Sequence, residues 1–483
     1  MSPSTGTSMS GAGAEDAPLL SAGEAARLAG GTLAGGDARS PLRGAAVDSR
    51  ALAPGMLFVA LAGTRTDGHA FVPEAFRRGA GAALVARLPK DVPSGAALIR
   101  VPDTLRAFHR LARAMRDRGR LVVVGITGSV GKTSTKEMAA AVAARAFRAA
   151  RSPENWNTEV GIPLVLANLP QDREVAVLEL AMRGPGQIRE LVEICAPNIG
   201  VVTNVGESHM DFFPSREALA AAKGELIEGL AADGVAVLNA DDPLAAGLGR
   251  RTRARVLSFG HSGGDVRAEE VRLLPQRGST FRLRTPAGAA EVTLRVPGRH
   301  SVSNALAAAA VGVALGMAPE AIAGGLGDAV SLPMRLEVVR VGPVTLLSDV
   351  YNSSPQSVGV ALAALDEIAG SPRIAVLGDM KELGSRAPEA HRRVGREAAG
   401  RRIDLLVAFG PLAADLAAAA REAGGPRVVH ATDLDEVVAL LRRELVPGAV
   451  ALIKGSRAMA MERITAALSG AAPAPIPGPG GGP

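Results

Sequence analysis

A chain of 483 residues with 47% hydrophobic content is long enough for about three domains, and with 2% aromatics their cores must be built from Ala, Leu and Val. The net charge of +6 comes mostly from scattered arginine, with lysine only at Lys90, Lys132, Lys136, Lys223, Lys381 and Lys454. No basic stripe with stacking aromatics argues for nucleic acid, whereas a small phosphorylated substrate suits the balance. The single cysteine, Cys195, excludes an intramolecular disulfide and reads as a small buried hydrophobe. With no signal-peptide pattern and no apolar run of spanning length, the expectation is a cytoplasmic chain without a membrane span.

Taken in chain order, residues 1–18 are Ser/Gly/Ala-rich and expected to be disordered. A first α/β domain is expected over 19–118, with strands at 57–61, 82–85 and 97–101 and a helix at 104–116. The charged string Arg116-Asp117-Arg118-Gly119-Arg120 reads as a linker. A central domain over 119–330 starts with the strand 121–124, a glycine loop and an Ala-rich helical stretch reaching 150. Strands follow at 175–180, 199–204 and 235–239, and the helical run 302–315 closes it. After Ser331-Leu332-Pro333 a domain over 331–470 alternates strands at 344–347, 374–377, 405–408, 427–429 and 450–453 with helices. The tail 471–483 is Pro/Gly-rich and expected to be disordered. The alternation predicts an α/β chain whose central P-loop domain has a mainly parallel sheet covered on both faces. A Rossmann-like doubly wound domain follows it, lacking a Gly-x-Gly-x-x-Gly fingerprint.

The string Gly125-Ile126-Thr127-Gly128-Ser129-Val130-Gly131-Lys132-Thr133-Ser134 sits between strand and helix as a phosphate-binding loop requires. Backbone amides would close around ATP phosphates, Lys132 would reach the outer phosphates, and Thr133 would hold Mg²⁺. A glycine-rich turn with a chance Gly-Lys-Thr is the alternative. The strict pattern wants Gly where Ile126 stands, and Gly128 falls inside the loop instead.

Polar residues stand near the ends of central strands: Glu179, then His209 in Gly206-Glu207-Ser208-His209-Met210-Asp211, then Lys223 on the next helix. Each alone also reads as a solvated carboxylate, a satisfied histidine or a surface lysine. With Thr133 they would ring a phosphate-bound Mg²⁺, which prefers oxygen ligands. A lysine joins such a set only as a carbamate formed with CO₂, which needs a neutral amine and therefore burial.

These motifs resemble the Mur ligases. The resemblance covers Thr127 to Thr133 and extends along most of the chain. It includes Asp48-Ser49-Arg50, Asp67-Gly68-His69, Asn155-Trp156-Asn157-Thr158-Glu159-Val160-Gly161 and Gly298-Arg299-His300 through Asn304. The strings Gly378-Asp379-Met380-Lys381-Glu382-Leu383-Gly384 and Lys454-Gly455-Ser456-Arg457 resemble the branch that adds D-alanyl-D-alanine to UDP-N-acetylmuramoyl-tripeptide. Ser301, Ser348 and Ser354 depart from residues frequent in the family.

The resemblance implies ATP bound by Gly128, Ser129, Val130, Gly131, Lys132, Thr133 and Ser134, with Asn304 at adenine. It implies two Mg²⁺ ions on Thr133, Glu179, His209 and carbamoylated Lys223, and Arg335 and Asp349 closing over the nucleotide. Ser49, Arg50, Asp67 and His69 would lie near the uridine nucleotide, with Asn157 and Thr158 at the peptide end. The expected catalytic set is Lys132, Lys223, His209, Glu179 and Asp349, acting in a monomer. The rivals are a diaminopimelate- or lysine-adding relative, a folylpolyglutamate-type ligase, a P-loop kinase or switch, and a non-catalytic nucleotide binder. A guanine-reading Asn-Lys-x-Asp is absent.

Overall fold

Three large sheets, each with helices packed on it, follow one another along the computed structural model, which describes residues 19–63, 66–153, 155–207, 210–274 and 276–470. The terminal segments expected to be disordered, 1–18 and 471–483, lie outside the described residues. Among the described residues no helix is long and apolar enough to cross a membrane.

The first sheet has five strands in the order Thr32–Leu33, Leu98–Arg100, Ala82–Val85, Leu57–Val59, Ala45–Ala46, parallel except at the first edge. Helices Ala22–Ala29 and Thr104–Arg116 cover it. Ser21 and Glu24 start the first with a reciprocal capping box, and Asp103 caps the second.

The central sheet has nine strands. From one edge the order is Ala149–Arg151, Val175–Glu179, Val122–Thr127, Ile199–Val202, Val235–Asn239, Arg255–Gly260, Val266–Leu274, Gly278–Thr285 and Gly288–Leu294. The first seven run parallel and the last two close the sheet as antiparallel hairpins. Side chains alternate between two cores. Val124, Val177 and Val201 meet helices Lys132–Ala143 and Arg299–Ala314. Val123, Ala176, Leu178 and Val202 meet helices Gln187–Cys195 and Arg216–Glu228. Cys195 is buried there, and burial pushes its thiol up to about 12.

The third sheet has six strands in the order Glu337–Val341, Val344–Asp349, Val450–Lys454, Arg373–Gly378, Leu405–Phe409, Arg427–Ala431, parallel except at the first pair. The last strand of the chain lies between the second and the third, so the crossovers change direction there. Helices cover both faces.

Two expectations are corrected. The helix after the glycine loop ends at Ala143 rather than 150, because residues Ala149–Arg151 form an edge strand that pairs with Val175, Ala176 and Val177. The hairpins over 266–294 were not expected. Phe281 with Leu283 and Val292 with Leu294 alternate with polar residues and face the central core, a two-residue period that sequence reasoning passed over.

The first and central units share helix Gly161–Ala167, buried on every side. Val160, Leu164 and Ala167 belong to the first core, and Ile162, Val165 and Leu166 to the central one. Asn168 behind it mimics a strand partner. Its Oδ1 accepts from Ala45 N at 3.1 Å and its Nδ2 donates to Ala45 O at 2.9 Å. Asn168→Ala is expected to lower stability by about 1–3 kcal/mol, read as an earlier urea midpoint, because it leaves the Ala45 backbone unpaired.

Candidate active site

The strand Val122–Thr127 leads into the glycine loop, and helix Lys132–Ala143 leaves it. Gly128 (φ +152°) and Gly131 (φ +83°) adopt backbone angles that disfavour side chains. A Cβ would collide with Thr203 Oγ1 at the first and with Asn304 Oδ1 at the second. No side chain caps the helix, so its first amides present the donors and positive potential of a helix N-terminus.

The neighbouring strand end holds the loop. Asn204 Oδ1 accepts from Val130 N at 3.0 Å, and its Nδ2 donates to Val130 O at 2.9 Å. Thr203 Oγ1 donates to the same carbonyl at 2.7 Å, and Ser129 N donates to Asn204 O at 3.1 Å. Gly206 N closes the set by donating to Ser129 Oγ at 2.8 Å. Sequence reasoning passed over Thr203 and Asn204 as site residues. The signal that singled out Glu179, a polar residue at the carboxyl end of an apolar strand, applied to Asn204 as well.

Lys132 Nζ lies back over the loop and donates to Gly128 O at 2.8 Å. Burial lowers its pKa, Glu179 opposes that shift, and the charge of Arg335 adds to it. Glu179, 4% exposed, accepts from Thr133 Oγ1 at 2.7 Å on one oxygen and from Asn157 Nδ2 at 3.1 Å on the other. Lys223 is 2% exposed on helix Arg216–Glu228. Burial first, and then the charge of Lys132, push its amine well below the ordinary lysine range. Thr133, Glu179, Asn157, Lys132 and Lys223 thus share one neighbourhood, while His209 lies outside the described residues. Ser134 occupies the first turn of the helix, and Thr158 Oγ1 accepts from Gly161 N at 3.3 Å.

The six-stranded sheet approaches the same place. Arg335 stacks 3.9 Å above the Tyr351 ring, near enough to Lys132 to lower its pKa. Asp349 Oδ2 accepts from the buried Lys454 Nζ at 2.7 Å, and Lys454 also donates to Asn352 O at 2.9 Å. His300, on the central helix that carries Asn304, falls within the field of both. Burial lowers it to about 4, Asp349 raises it, and Lys454 lowers it.

The first-sheet residues are placed differently from one another. Ser49 is buried in a turn capped by Asp48, while Arg50 is exposed and pairs with Asp48 at 2.6 Å. His69 Nε2 accepts from Ala86 N at 2.9 Å, so Nδ1 carries the ring proton and donates to Asp67 Oδ1 at 2.7 Å. Asp67 is held well below the usual carboxylate range by the His69 N–H and by Arg87. Both ring nitrogens of His69 are thus spent within the protein, where they brace Ala86 and Asp67.

The family model described as Mur ligase middle domain matches residues 126–312, the Mur ligase, glutamate ligase domain matches 334–457, and the Mur ligase family, catalytic domain matches 42–116. The UDP-N-acetylmuramoyl-tripeptide--D-alanyl-D-alanine ligase of Bacillus subtilis is 35% identical over 446 residues, covering 91% of this chain and 96% of its own. That of Escherichia coli is 36% identical, covering 87% and 92%. The crystal structure of MurF from Acinetobacter baumannii superposes with a TM-score of 0.86 at 31% identity over 93% of this chain and 99% of that one. MurF from Thermotoga maritima in complex with ADP gives 0.78 at 29% identity, covering 88% and 97%.

Asn204→Ala removes both side-chain bonds to Val130, so the loop must be ordered at the expense of nucleotide binding. A titration with ATP is expected to show about tenfold weaker affinity, equivalent to about 1.4 kcal/mol. Unchanged affinity would mean the loop holds its shape unaided.

Proposed function

The chain belongs to the Mur ligase family, and we propose that its three units share one ligation, with 19–118 taking the uridine nucleotide, 119–330 taking ATP and 331–470 closing over both. The enzyme is an ATP-dependent peptide ligase that joins D-alanyl-D-alanine to UDP-N-acetylmuramoyl-tripeptide, giving the UDP-linked pentapeptide precursor of peptidoglycan. A carboxylate oxygen of the tripeptide attacks the γ-phosphorus of ATP, and the bond to the ADP oxygen breaks. The dipeptide amine then attacks the acyl phosphate carbon, loses a proton and expels phosphate through a tetrahedral intermediate.

The observation that carries the site reading is the convergence of Lys132, Thr133, Glu179 and Lys223 at the N-terminus of the P-loop helix. Two anions, a carboxylate and a triphosphate, must meet there, so catalysis asks mainly for positioning and charge neutralisation. Lys132 would leave its loop carbonyls for the outer phosphates, and Gly128 to Ser134 would cradle them. Asn304, beside Gly131, supports an adenine-side role. Asn157 and Thr158 would orient the tripeptide end, and Ser49, Arg50, Asp67 and His69 would shape the uridine site, His69 by bracing. Arg335 and Asp349 would complete the cover and keep water from the acyl phosphate.

The Thr133 hydroxyl and the Glu179 carboxylate are hard oxygen donors of the kind Mg²⁺ takes. Bound Mg²⁺ would supply charge neutralisation of the triphosphate. We assign a second ion to His209 and to Lys223 as its carbamate. The depressed Lys223 amine favours that reaction, in which nitrogen bonds the CO₂ carbon and releases a proton. The proposal extends to action as a monomer, and the buried Cys195 is compatible with a cytoplasmic setting.

Phosphate release should require both UDP-N-acetylmuramoyl-tripeptide and D-alanyl-D-alanine, with the UDP-pentapeptide detected by mass. Activity instead with the dipeptide nucleotide and diaminopimelate or lysine would assign the chain one step earlier. Lys132→Ala is expected to lower turnover at least about a hundredfold with an unchanged circular dichroism spectrum. Lys223→Arg should be comparably impaired, and the wild type should slow when bicarbonate is removed. Bicarbonate-independent activity together with a bare amine at Lys223 by mass spectrometry would refute the carbamate.

A further inference from the structure

Lys136 lies one helical turn beyond Lys132 and is fully buried. An ammonium is expensive to bury unless it is paired and hydrogen-bonded, and nothing in the ligation above uses this one. Its Nζ donates to Ser152 O at 2.7 Å and pairs with Glu137 Oε1 at 3.1 Å, and Glu137 also holds Arg151 at 2.5 Å.

Ser152 is the residue where the chain leaves the edge strand Ala149–Arg151. Its N–H still donates to Val177 O at 3.0 Å, and its Oγ accepts from Glu179 N at 3.2 Å. The Glu179 N–H that would continue the ladder is taken by the Ser152 hydroxyl, and Lys136 supplies the donor to the Ser152 carbonyl. The chain then turns, with Trp156 N donating to Pro153 O at 3.0 Å, and returns so that Asn157 Nδ2 meets Glu179 Oε1. Thr133 and Lys136 stand three residues apart on one helix, hence on one face. One reaches the Glu179 carboxylate directly and the other reaches the Glu179 backbone through Ser152. Helix, Thr133, Glu179, Ser152 and Lys136 thus form a closed ring.

We infer that Lys136 is a positioning residue for the Glu179 carboxylate, fixing the strand end and the Asn157 turn to the P-loop helix so that Glu179 meets a phosphate-bound metal ion in one geometry. An apolar residue of equal length would fill the space and leave the Ser152 carbonyl without its donor. The inference rests on Glu179 being a metal ligand.

The test is Mn²⁺ binding to the enzyme–ADP complex, followed by electron paramagnetic resonance, in Lys136→Met, Lys136→Gln, Ser152→Ala and Glu179→Gln. Lys136→Met should weaken Mn²⁺ binding about tenfold, as loss of a residue that orients a metal ligand does. Ser152→Ala should shift it in the same direction by less, and Lys136→Gln, which keeps a donor, should lie nearer the wild type. At saturating Mg²⁺ the KM for ATP should stay within about twofold while kcat falls, because the phosphate cradle is intact. A lysine that only stabilised the fold would lower the melting temperature and leave Mn²⁺ affinity alone. Wild-type Mn²⁺ affinity in both Lys136→Met and Ser152→Ala, with affinity lost in Glu179→Gln, overturns the inference and spares the metal assignment. Wild-type affinity in Glu179→Gln overturns the metal assignment and this inference with it. If Lys136→Met does not fold, Ser152→Ala decides alone.

Discussion

The site depends on the register of neighbouring parallel strands. Val122–Thr127 lies between Ile199–Val202 and Val175–Glu179, with Thr127 beside Val202 and Ile126 beside Glu179. That alignment ends the three strands together and sets Gly128, Asn204 and Glu179 around one crevice, where open α/β sheets bind ligands. A slip of one residue would turn each side chain to the opposite face. Val124 and Val177 would leave one core, Val123 and Ala176 the other, and Glu179 would lose Thr133. The apolar alternation that stabilises the sheet thus also fixes the chemistry at its end.

Charge is the second constraint. Lys132 and Lys223 are close enough that the charge of one disfavours the charge of the other, and burial weakens both. An incoming polyphosphate would relieve Lys132 by supplying the anion that its loop carbonyls only partly replace. Lys223 would remain the amine better suited to carbamate chemistry. Glu179, the acidic partner of this group, is held at both oxygens by Thr133 and Asn157, so its orientation is settled before any ligand arrives.

The six-stranded sheet meets the central unit through a part-buried bond from Gln276 Nε2 to Thr345 Oγ1 at 3.3 Å and through exposed polar contacts. Arg393 meets Glu207 at 3.2 Å, Arg386 donates to Pro214 O at 3.2 Å, and Arg183 lies 3.7 Å from Glu382. Exposed pairs of this kind contribute about 0–1 kcal/mol each. These exposed pairs would part at little cost, which suits an enzyme that must admit ATP and two further substrates and then exclude water. The pairs inside the unit, Lys454 with Asp349 and Arg335 over Tyr351, are more buried or stacked and carry their groups as fixed parts.

The α/β class, the glycine loop and most of the strands were legible in the residue pattern, because apolar alternation and glycine placement are local signals. Glu179 was legible as a polar residue closing an apolar strand, whereas Lys223, inside the helix Arg216–Glu228, also read as a surface lysine and its burial came from the fold. The end of the P-loop helix, the clamp by Asn204 on Val130 and the tie from Lys136 through Ser152 came from long-range pairing. Each depends on which backbone groups are left unpaired once the strands have found their neighbours, and strand order is a long-range outcome. The same holds for the partners of His69, whose motif pointed to the neighbourhood of the uridine nucleotide. The fold brings Ala86 N to one ring nitrogen and Asp67 to the other, because the strand ending at Val85 comes to lie beside the turn that carries it.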